Sequence, residues 1–120
     1  MLGYEGEERA DLDATVEMLR EARPDHFLTA LAYPVKGTPY YEEVRDRIVP
    51  LESWESGSDR DLVVAGRRSR RFYRYATRWM VNAVGGSGSG QRKGAGRLKA
   101  LLNAQVGRMG MWLTQHEVER

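Results

Sequence analysis

Two short loops carry the residue types in this sequence that are best suited to hold a ligand. The first contains Gly3, Tyr4, Gly6 and Glu7, and the second is Tyr-Pro-Val-Lys-Gly-Thr-Pro at residues 33–39. Glycine permits backbone conformations that other residues resist, although on its own a glycine loop before a helix more often only closes a turn. Both loops follow apolar segments, and ligands of open α/β sheets bind beyond the carboxyl ends of the strands.

Other kinds of chemistry are poorly represented. The chain has no cysteine, which excludes disulfides, thiolate zinc sites, cysteine-held iron–sulfur clusters and cysteine nucleophiles within it. Its only histidines, His26 and His116, are far apart in sequence. The serines lie in polar or glycine-rich stretches without a nucleophile elbow, and adjacent carboxylates on a helix do not face each other. We therefore predict no catalytic residue and no metal site.

The bulk composition indicates one mostly globular domain. The chain has 120 residues, of which 41% are hydrophobic and 30% charged. No apolar run approaches the roughly 18 residues of a membrane span, and no signal peptide is visible, so we expect a cytoplasmic chain without a membrane partner. Residues 1–61 have a net charge of −8 and residues 62–120 one of +10. This asymmetry favours mutual attraction of the halves or an acidic partner for the basic half.

The elements that would position the two loops follow a strand–helix–strand order. The sequence predicts the end of a strand at residues 1–2, an amphipathic helix at 8–22 and an apolar strand at 26–33. This order with short connections is typical of a βαβ unit with parallel strands. A buried strand usually has about five or six residues, so we expect the first strand to be cut off on its N-terminal side.

The rest of the chain is predicted to be mainly helical. Thr38 and Pro39 are good N-cap and first-turn residues for a helix that reaches about Ile48. A surface loop at 51–61, a short strand at 62–64, a helix at 69–84, a Gly/Ser linker at 85–96 and a last helix at 97–115 follow. One face of the last helix is apolar and needs a cover, which could be the rest of the domain or a second copy of the chain. This face consists of Leu98, Leu101, Leu102, Val106, Met109 and Leu113.

Motifs in and around the two loops resemble the radical S-adenosylmethionine enzymes. These motifs are Met-Leu-Gly-Tyr-Glu-Gly-Glu at residues 1–7 and Ala-Tyr-Pro-Val-Lys-Gly-Thr-Pro at 32–39, with Arg-Pro-Asp at 23–25 between them. A tail with Trp54, Ser-Asp-Arg-Asp-Leu at 58–62, Gly66-Arg67 and Ser69 before a Tyr/Arg-rich helix is similar to the cobalamin-binding subgroup. That subgroup contains the anaerobic magnesium-protoporphyrin ester cyclases. The resemblance covers about residues 1–84.

The resemblance implies an α/β fold, the remnant βαβ end of a partial (β/α)6 barrel followed by a helical C-terminal extension. Residues 1–50 would be the last two strand–helix units of the barrel and residues 51–84 the extension. The linker at 85–96 and a terminal helix within 97–120 would follow. Met1 would then be an internal methionine of a longer reading frame or the start of one piece of a split enzyme.

The resemblance also implies the cofactors and the roles of the loop residues. The loop with Gly3, Tyr4, Gly6 and Glu7 would lie by the adenosine part of S-adenosylmethionine. Glu5 and Glu8 depart from the proline and threonine that are commonest in this loop of the family. The family also uses a [4Fe–4S] cluster, and its subgroup uses cobalamin, but the cysteine trio for the cluster is missing here.

The second loop is expected to lie near the substrate. The resemblance places Tyr33, Lys36 and Thr38 at the mouth of the barrel, although Tyr33 as a core-edge tyrosine and Lys36 as a solvated lysine are equally good interpretations. Because the cluster ligands are absent, we expect the chain to be inactive alone. Its expected partner is a separate N-terminal radical S-adenosylmethionine piece.

Two other functions fit parts of the sequence. A nucleic-acid- or anion-binding module is suggested by Arg70, Arg74 and Arg78 on one helical face, with Tyr73 and Tyr75 available to stack on bases. Nucleic acid is the less favoured partner, because such a face would more often be solvated or paired with the acidic half.

A helical interaction protein without a ligand site is the third hypothesis, because the last helix needs a cover for its apolar face and could self-associate through it. Two parallel strands with exposed edges make a poor core, so we also expect a partly molten or oligomeric chain.

Overall fold

The computed structural model describes residues 1–50, 62–85 and 94–119. Its helices are α1 (Arg9–Ala22), α2 (Pro39–Val44), α3 (Arg70–Gly85) and α4 (Ala95–Thr114), with a 3-10 turn at Arg45–Arg47. Its strands are β1 (Ile48–Pro50) and β2 (Leu62–Val64). The predicted loop at 51–61 and most of the predicted Gly/Ser linker lie outside the described residues.

The predicted fold class is wrong. The described chain is mostly helical, and the one sheet in it is an antiparallel pair, in which Ile48 faces Val64 and Pro50 faces Leu62. The predicted parallel strands reduce to a single bridge between Leu2 and Leu31, so they do not form a βαβ barrel remnant. The physical reason is length, because residues 1–2 offer too few backbone groups to extend a ladder along residues 26–33.

Helix α1 forms where the sequence predicts it. It is closed at its start by the Asp11 carboxylate, which accepts a hydrogen bond of 2.7 Å from the Glu8 N–H. At its end Arg23 adopts a left-handed conformation with φ of 46°, and its N–H bonds to the Leu19 carbonyl. Pro24 disfavours a helical conformation for Arg23, which accounts for the stop.

Helix α2 is shorter than predicted. Thr38 caps it by accepting a hydrogen bond of 3.3 Å from the Tyr41 N–H. The helix ends at Val44, and the chain passes through the 3-10 turn into β1, so Ile48 is a strand residue and not the end of a helix. The pairing of Ile48 with Val64 supplies backbone hydrogen bonds that replace those a longer helix would make. The same pairing confirms the predicted strand at 62–64.

Helix α3 is the centre of the core. Its buried residues recur at helical spacing and include Phe72, Ala76, Trp79 and Met80. The helix packs against α1 and α4, and its N-terminal end is held by residues 117–119, where the Glu119 N–H bonds to the Arg67 carbonyl at 2.7 Å. The main cluster of buried residues therefore contains residues from three of the four predicted segments, namely 1–50, 51–84 and 97–120. These three segments share one core.

Helix α4 packs on α3 through the face opposite its leucine-rich one. Its inward face consists of small residues and two larger ones: Ala100, Ala104, Gly107, Gly110, Met111 and Thr114. The leucine-rich face points outward, with Leu98 and Met109 61% and 64% exposed, so the described part of the domain does not cover it. Small residues let two helix axes approach closely, and a Cβ on Gly107 would lie only 2.6 Å from the Trp79 backbone nitrogen. Close backbone approach decides which face packs.

Candidate functional site

The two predicted loops lie at the same end of their segments. The Leu2 N–H donates to the Ala30 carbonyl at 2.8 Å, and the Ala32 N–H donates to the Leu2 carbonyl at 2.7 Å, so the two segments run in parallel at this point. The chain beyond the bridge leads into the Gly3–Glu7 loop on one side and the Tyr33–Pro39 loop on the other. The Tyr4 ring stacks on the Tyr40 ring with centroids 4.4 Å apart.

The Gly3–Glu7 loop is closed by its own carboxylate. The Gly3 N–H donates to Glu7 Oε2 at 2.9 Å, and the Glu7 N–H donates to the Tyr4 carbonyl at 3.1 Å. Gly3 and Gly6 have φ of 77° and 74°, which only glycine adopts without strain. Partial burial raises the pKa of the Glu7 carboxyl, and the Gly3 N–H partly opposes this shift. Among the described residues, no hydrogen bond engages the N–H of Glu5 or Gly6, so both remain available to a ligand.

Arginines from distant parts of the chain hold this loop. Arg47 forms an ion pair with Glu5, with Nη2 2.7 Å from Oε2, and Arg68 Nη1 donates to the Glu7 carbonyl at 3.4 Å. Arg67 Nη1 donates to the Ala32 carbonyl at 2.5 Å, and its positive charge partly opposes the burial that raises the pKa of Tyr40, the ring beneath Tyr4. Arg67 thereby connects the parallel bridge to the stacked tyrosines.

The three predicted substrate residues of the second loop lie in different surroundings. Thr38 Oγ1 donates to the Val35 carbonyl at 2.7 Å while it caps α2, so its hydroxyl is engaged within the fold. Lys36 is exposed in the turn before Gly37, which has φ of 84°. Tyr33 is half-buried and lines an open groove. Of the three predicted substrate residues, Tyr33 alone is part of that concave surface.

The groove runs along the segment at residues 29–33 and the N-terminal half of α3. Its volume is about 840 Å³. Arg67, Arg70 and Arg74 line it together with Tyr73, whose pKa is raised to about 12 mainly by burial. Among the described residues no carboxylate lies within ion-pair distance of these three guanidiniums. The groove is therefore a cationic surface with an apolar floor.

The predicted stacking of bases on α3 finds no support in this geometry. Tyr73 is buried and Tyr75 packs against the core, so neither presents a free ring face of the kind that nucleobases stack on. The predicted pairing of the arginine face with the acidic half is also not seen in the described residues. There the one ion pair of α3 is Arg71 with Glu117, at 3.4 Å.

The residues present fit one of the three implied cofactors, do not fit the second and do not bear on the third. A [4Fe–4S] cluster does not fit, because the chain has no cysteine, and the described residues hold no group of three metal-ligating side chains. Nothing in the described residues bears on cobalamin. An adenosine moiety does fit the first loop, where Tyr4 is about half exposed on top of Tyr40 and the Glu5 and Gly6 amides are unengaged.

The residues that sequence reasoning missed are the ones that hold the loops. Arg47, Arg68 and Tyr40 carry no local signal, because their partners are 36 to 61 residues away in sequence. Arg67 belongs to the Gly66-Arg67 pair of the tail motif. Its hydrogen bond to the Ala32 carbonyl joins residues 35 positions apart, and only the fold reveals it.

No helix in the described part of the chain is both long and apolar enough to cross a membrane. Comparisons with protein-family models, with curated proteins and with solved structures found no match to this chain.

Proposed function

We propose that this chain forms part of the S-adenosylmethionine pocket of a radical S-adenosylmethionine enzyme and is not catalytic by itself. One observation carries the proposal. The hydrogen-bonded bridge between Leu2 and Leu31 runs in parallel, and it brings the Gly3–Glu7 and Tyr33–Pro39 loops to the same end. The Tyr4 and Tyr40 rings stack at that end, and the motifs in both loops are the ones that resemble the family.

In this proposal the first loop binds adenosine through one aromatic ring and two backbone amides, and a carboxylate fixes the shape of the loop. Tyr4 offers its outer ring face for stacking on adenine, and Tyr40 supports the inner face. The Glu5 and Gly6 amides donate hydrogen bonds to the base or the ribose. Glu7 is a positioning residue, because its carboxylate is already engaged by the Gly3 N–H and fixes the loop.

The chemistry of the reaction lies outside this chain. A [4Fe–4S] cluster supplies the electron that cleaves S-adenosylmethionine, and its thiolate ligands must come from another polypeptide segment. We propose a separate cluster-bearing piece as the partner and the cytoplasm as the compartment. In this proposal the chain contributes binding and orientation only, with Tyr33 and the exposed Lys36 on the substrate side of the site.

Equilibrium binding of S-adenosylmethionine to two tyrosine variants tests the proposal. We expect Tyr4→Leu to weaken binding about tenfold, because stacking of a base on an aromatic ring contributes roughly 1–3 kcal/mol. Tyr41→Leu is the matched control, since Tyr41 is the neighbour of Tyr40 in α2. Equal affinities of the two variants, or no measurable binding by the unaltered chain, would refute the adenosine role of the loop.

A second candidate function is binding of a small phosphate-bearing anion in the arginine groove. The observation in its favour is that Arg67, Arg70 and Arg74 line one concavity. Inorganic pyrophosphate is the probe, and we expect its affinity to fall steeply with added salt and at least tenfold in the double variant Arg70→Gln, Arg74→Gln. The control is Arg45→Gln, at an exposed arginine outside the groove. Salt-independent binding, or equal binding by control and double variant, would exclude this function.

A further inference from the structure

The outward face of α4 is a continuous apolar surface. Seven large side chains are 44% to 65% exposed there: Leu98, Leu101, Leu102, Val106, Met109, Trp112 and Leu113. Successive residues of an α-helix are rotated by about 100°, so these seven cover an arc of roughly 140° opposite the face that packs on α3. Gln105 is the one polar residue within the arc. We call this surface the outer face of α4.

Cations border the outer face of α4 on both sides. Arg97 and Arg108 lie along one edge and Lys99 along the other, by the same helical rotation. Next to the Lys99 edge, Arg78 of α3 reaches across to α4 and donates to Asn103 Oδ1 at 2.6 Å. The helix contains no aspartate or glutamate from Ala95 to Thr114. Within α4 itself, the charges that flank the apolar face are thus all positive.

The charge pattern decides against a second copy of the chain as the cover. Two outer faces that met would bring their cationic edges within about one Debye length of each other, without a carboxylate on either helix to pair with them. The width of the arc also differs from a coiled-coil seam, which is a narrower stripe with charges of both signs beside it. A broad apolar face with cationic edges and a tryptophan matches a surface that is apolar below and anionic at its boundary.

We infer that α4 docks on an anionic lipid surface, with its outer face among the acyl chains and Arg97, Lys99 and Arg108 at the headgroups. Helices that lie in the membrane interface combine these features, and basic residues near an anionic leaflet add to the affinity. The packing face keeps α4 attached to α3, so the helix lies on the surface without leaving the fold. The earlier expectation of no membrane partner rested on the lack of a spanning segment, which surface docking does not need.

Co-sedimentation with lipid vesicles tests this inference. The chain is expected to bind vesicles that contain phosphatidylglycerol and to bind pure phosphatidylcholine vesicles at least tenfold more weakly. Neutralisation of the three cations, Arg97→Gln, Lys99→Gln and Arg108→Gln, should weaken binding on the order of 100-fold, at about fivefold for each charge. High salt should have a similar effect on the unaltered chain.

Two methionine variants distinguish binding through the outer face of α4 from nonspecific vesicle binding by other exposed apolar side chains. Met109→Gln should weaken vesicle binding about tenfold, because it removes apolar area that enters the membrane. Met18→Gln is the matched control, since Met18 is also more than half exposed but lies on α1. Both residues are exposed, so circular dichroism should show that both variants fold.

Three results would overturn the inference. They are absence of binding to anionic vesicles, equal binding to the two vesicle types, and equal loss in Met109→Gln and Met18→Gln. Sedimentation velocity in the absence of lipid adds a fourth. If the chain forms a dimer that Met109→Gln disrupts, the outer face is covered by a second copy and the lipid inference is wrong.

Discussion

Replacement of Gly107 by alanine should destabilise the chain by about 2–3 kcal/mol and lower its Tm by roughly 10 °C. The added Cβ would lie 2.6 Å from the Trp79 backbone nitrogen and 2.7 Å from the Trp79 Cβ. Neither atom is the end of a flexible side chain, so α3 and α4 must separate. Alanine is a better helix former than glycine by up to about 1 kcal/mol, but the overlap outweighs this gain.

Gly85→Ala is the matched control for that experiment. Gly85 also lies in a helix, and a Cβ there would meet nothing within 4 Å. The control should therefore be neutral or slightly stabilising in thermal or urea unfolding. Equal stability of the Gly107 and Gly85 variants would show that α4 does not pack on α3 through its small-residue face.

Replacement of Arg67 by alanine should have the next largest effect, a loss of about 2 kcal/mol in the free energy of unfolding. Arg67 Nη1 donates to the Ala32 carbonyl, and its Nε is buried without a partner in the described residues. Removal leaves the carbonyl of the buried Ala32 without its donor. The unpaired Nε limits the loss, because one buried donor of the guanidinium is not satisfied in the native state.

Arg74→Ala provides the comparison for Arg67. Arg74 lines the same groove but is exposed, and no hydrogen bond or ion pair of its side chain occurs in the described residues. Its substitution should change the free energy of unfolding by less than about 0.5 kcal/mol. If urea unfolding gives the same value for both variants, Arg67 does not connect the two loops energetically.

Local signals in the sequence predicted much of the helical structure. The start of α2 at Thr38 and Pro39 depends on neighbours within three residues, and the end of α1 depends on Pro24 acting on Arg23. The buried stripe of α3 follows from periodicity alone, because its large apolar residues lie on one face. These elements need no knowledge of distant contacts.

The errors arose where distant contacts decide. Helix α4 has two faces without charged residues, and the face with Gly107 and Gly110, which permit a closer approach than leucines, is the one that packs on α3. Ile48 lies in β1 because Val64 pairs with it, 16 residues later in the chain. The parallel strands predicted at 1–2 and 26–33 reduce to the bridge between Leu2 and Leu31, because the first segment supplies only two residues.

The candidate site shows the same division. The glycines and Tyr4 of the first loop were identified from the motif, whereas the residues that fix the loop were not. Glu5 is held by Arg47, 42 residues away, and the Glu7 carbonyl is held by Arg68, 61 residues away. Residue type and spacing predicted the Gly3–Glu7 loop as a ligand site, and only the fold revealed the arginine contacts that fix the conformation of this loop.

The most direct measurement of the proposed adenosine role is a ¹⁵N–¹H NMR titration of the chain with S-adenosylmethionine. The proposal predicts saturable shifts of the Tyr4, Glu5 and Gly6 amides, with 5′-deoxyadenosine shifting the same signals and the amides of α4 unmoved. If those three amides do not respond, or the responding amides cluster in α3 and α4, then the Gly3–Glu7 loop is not an adenosine site.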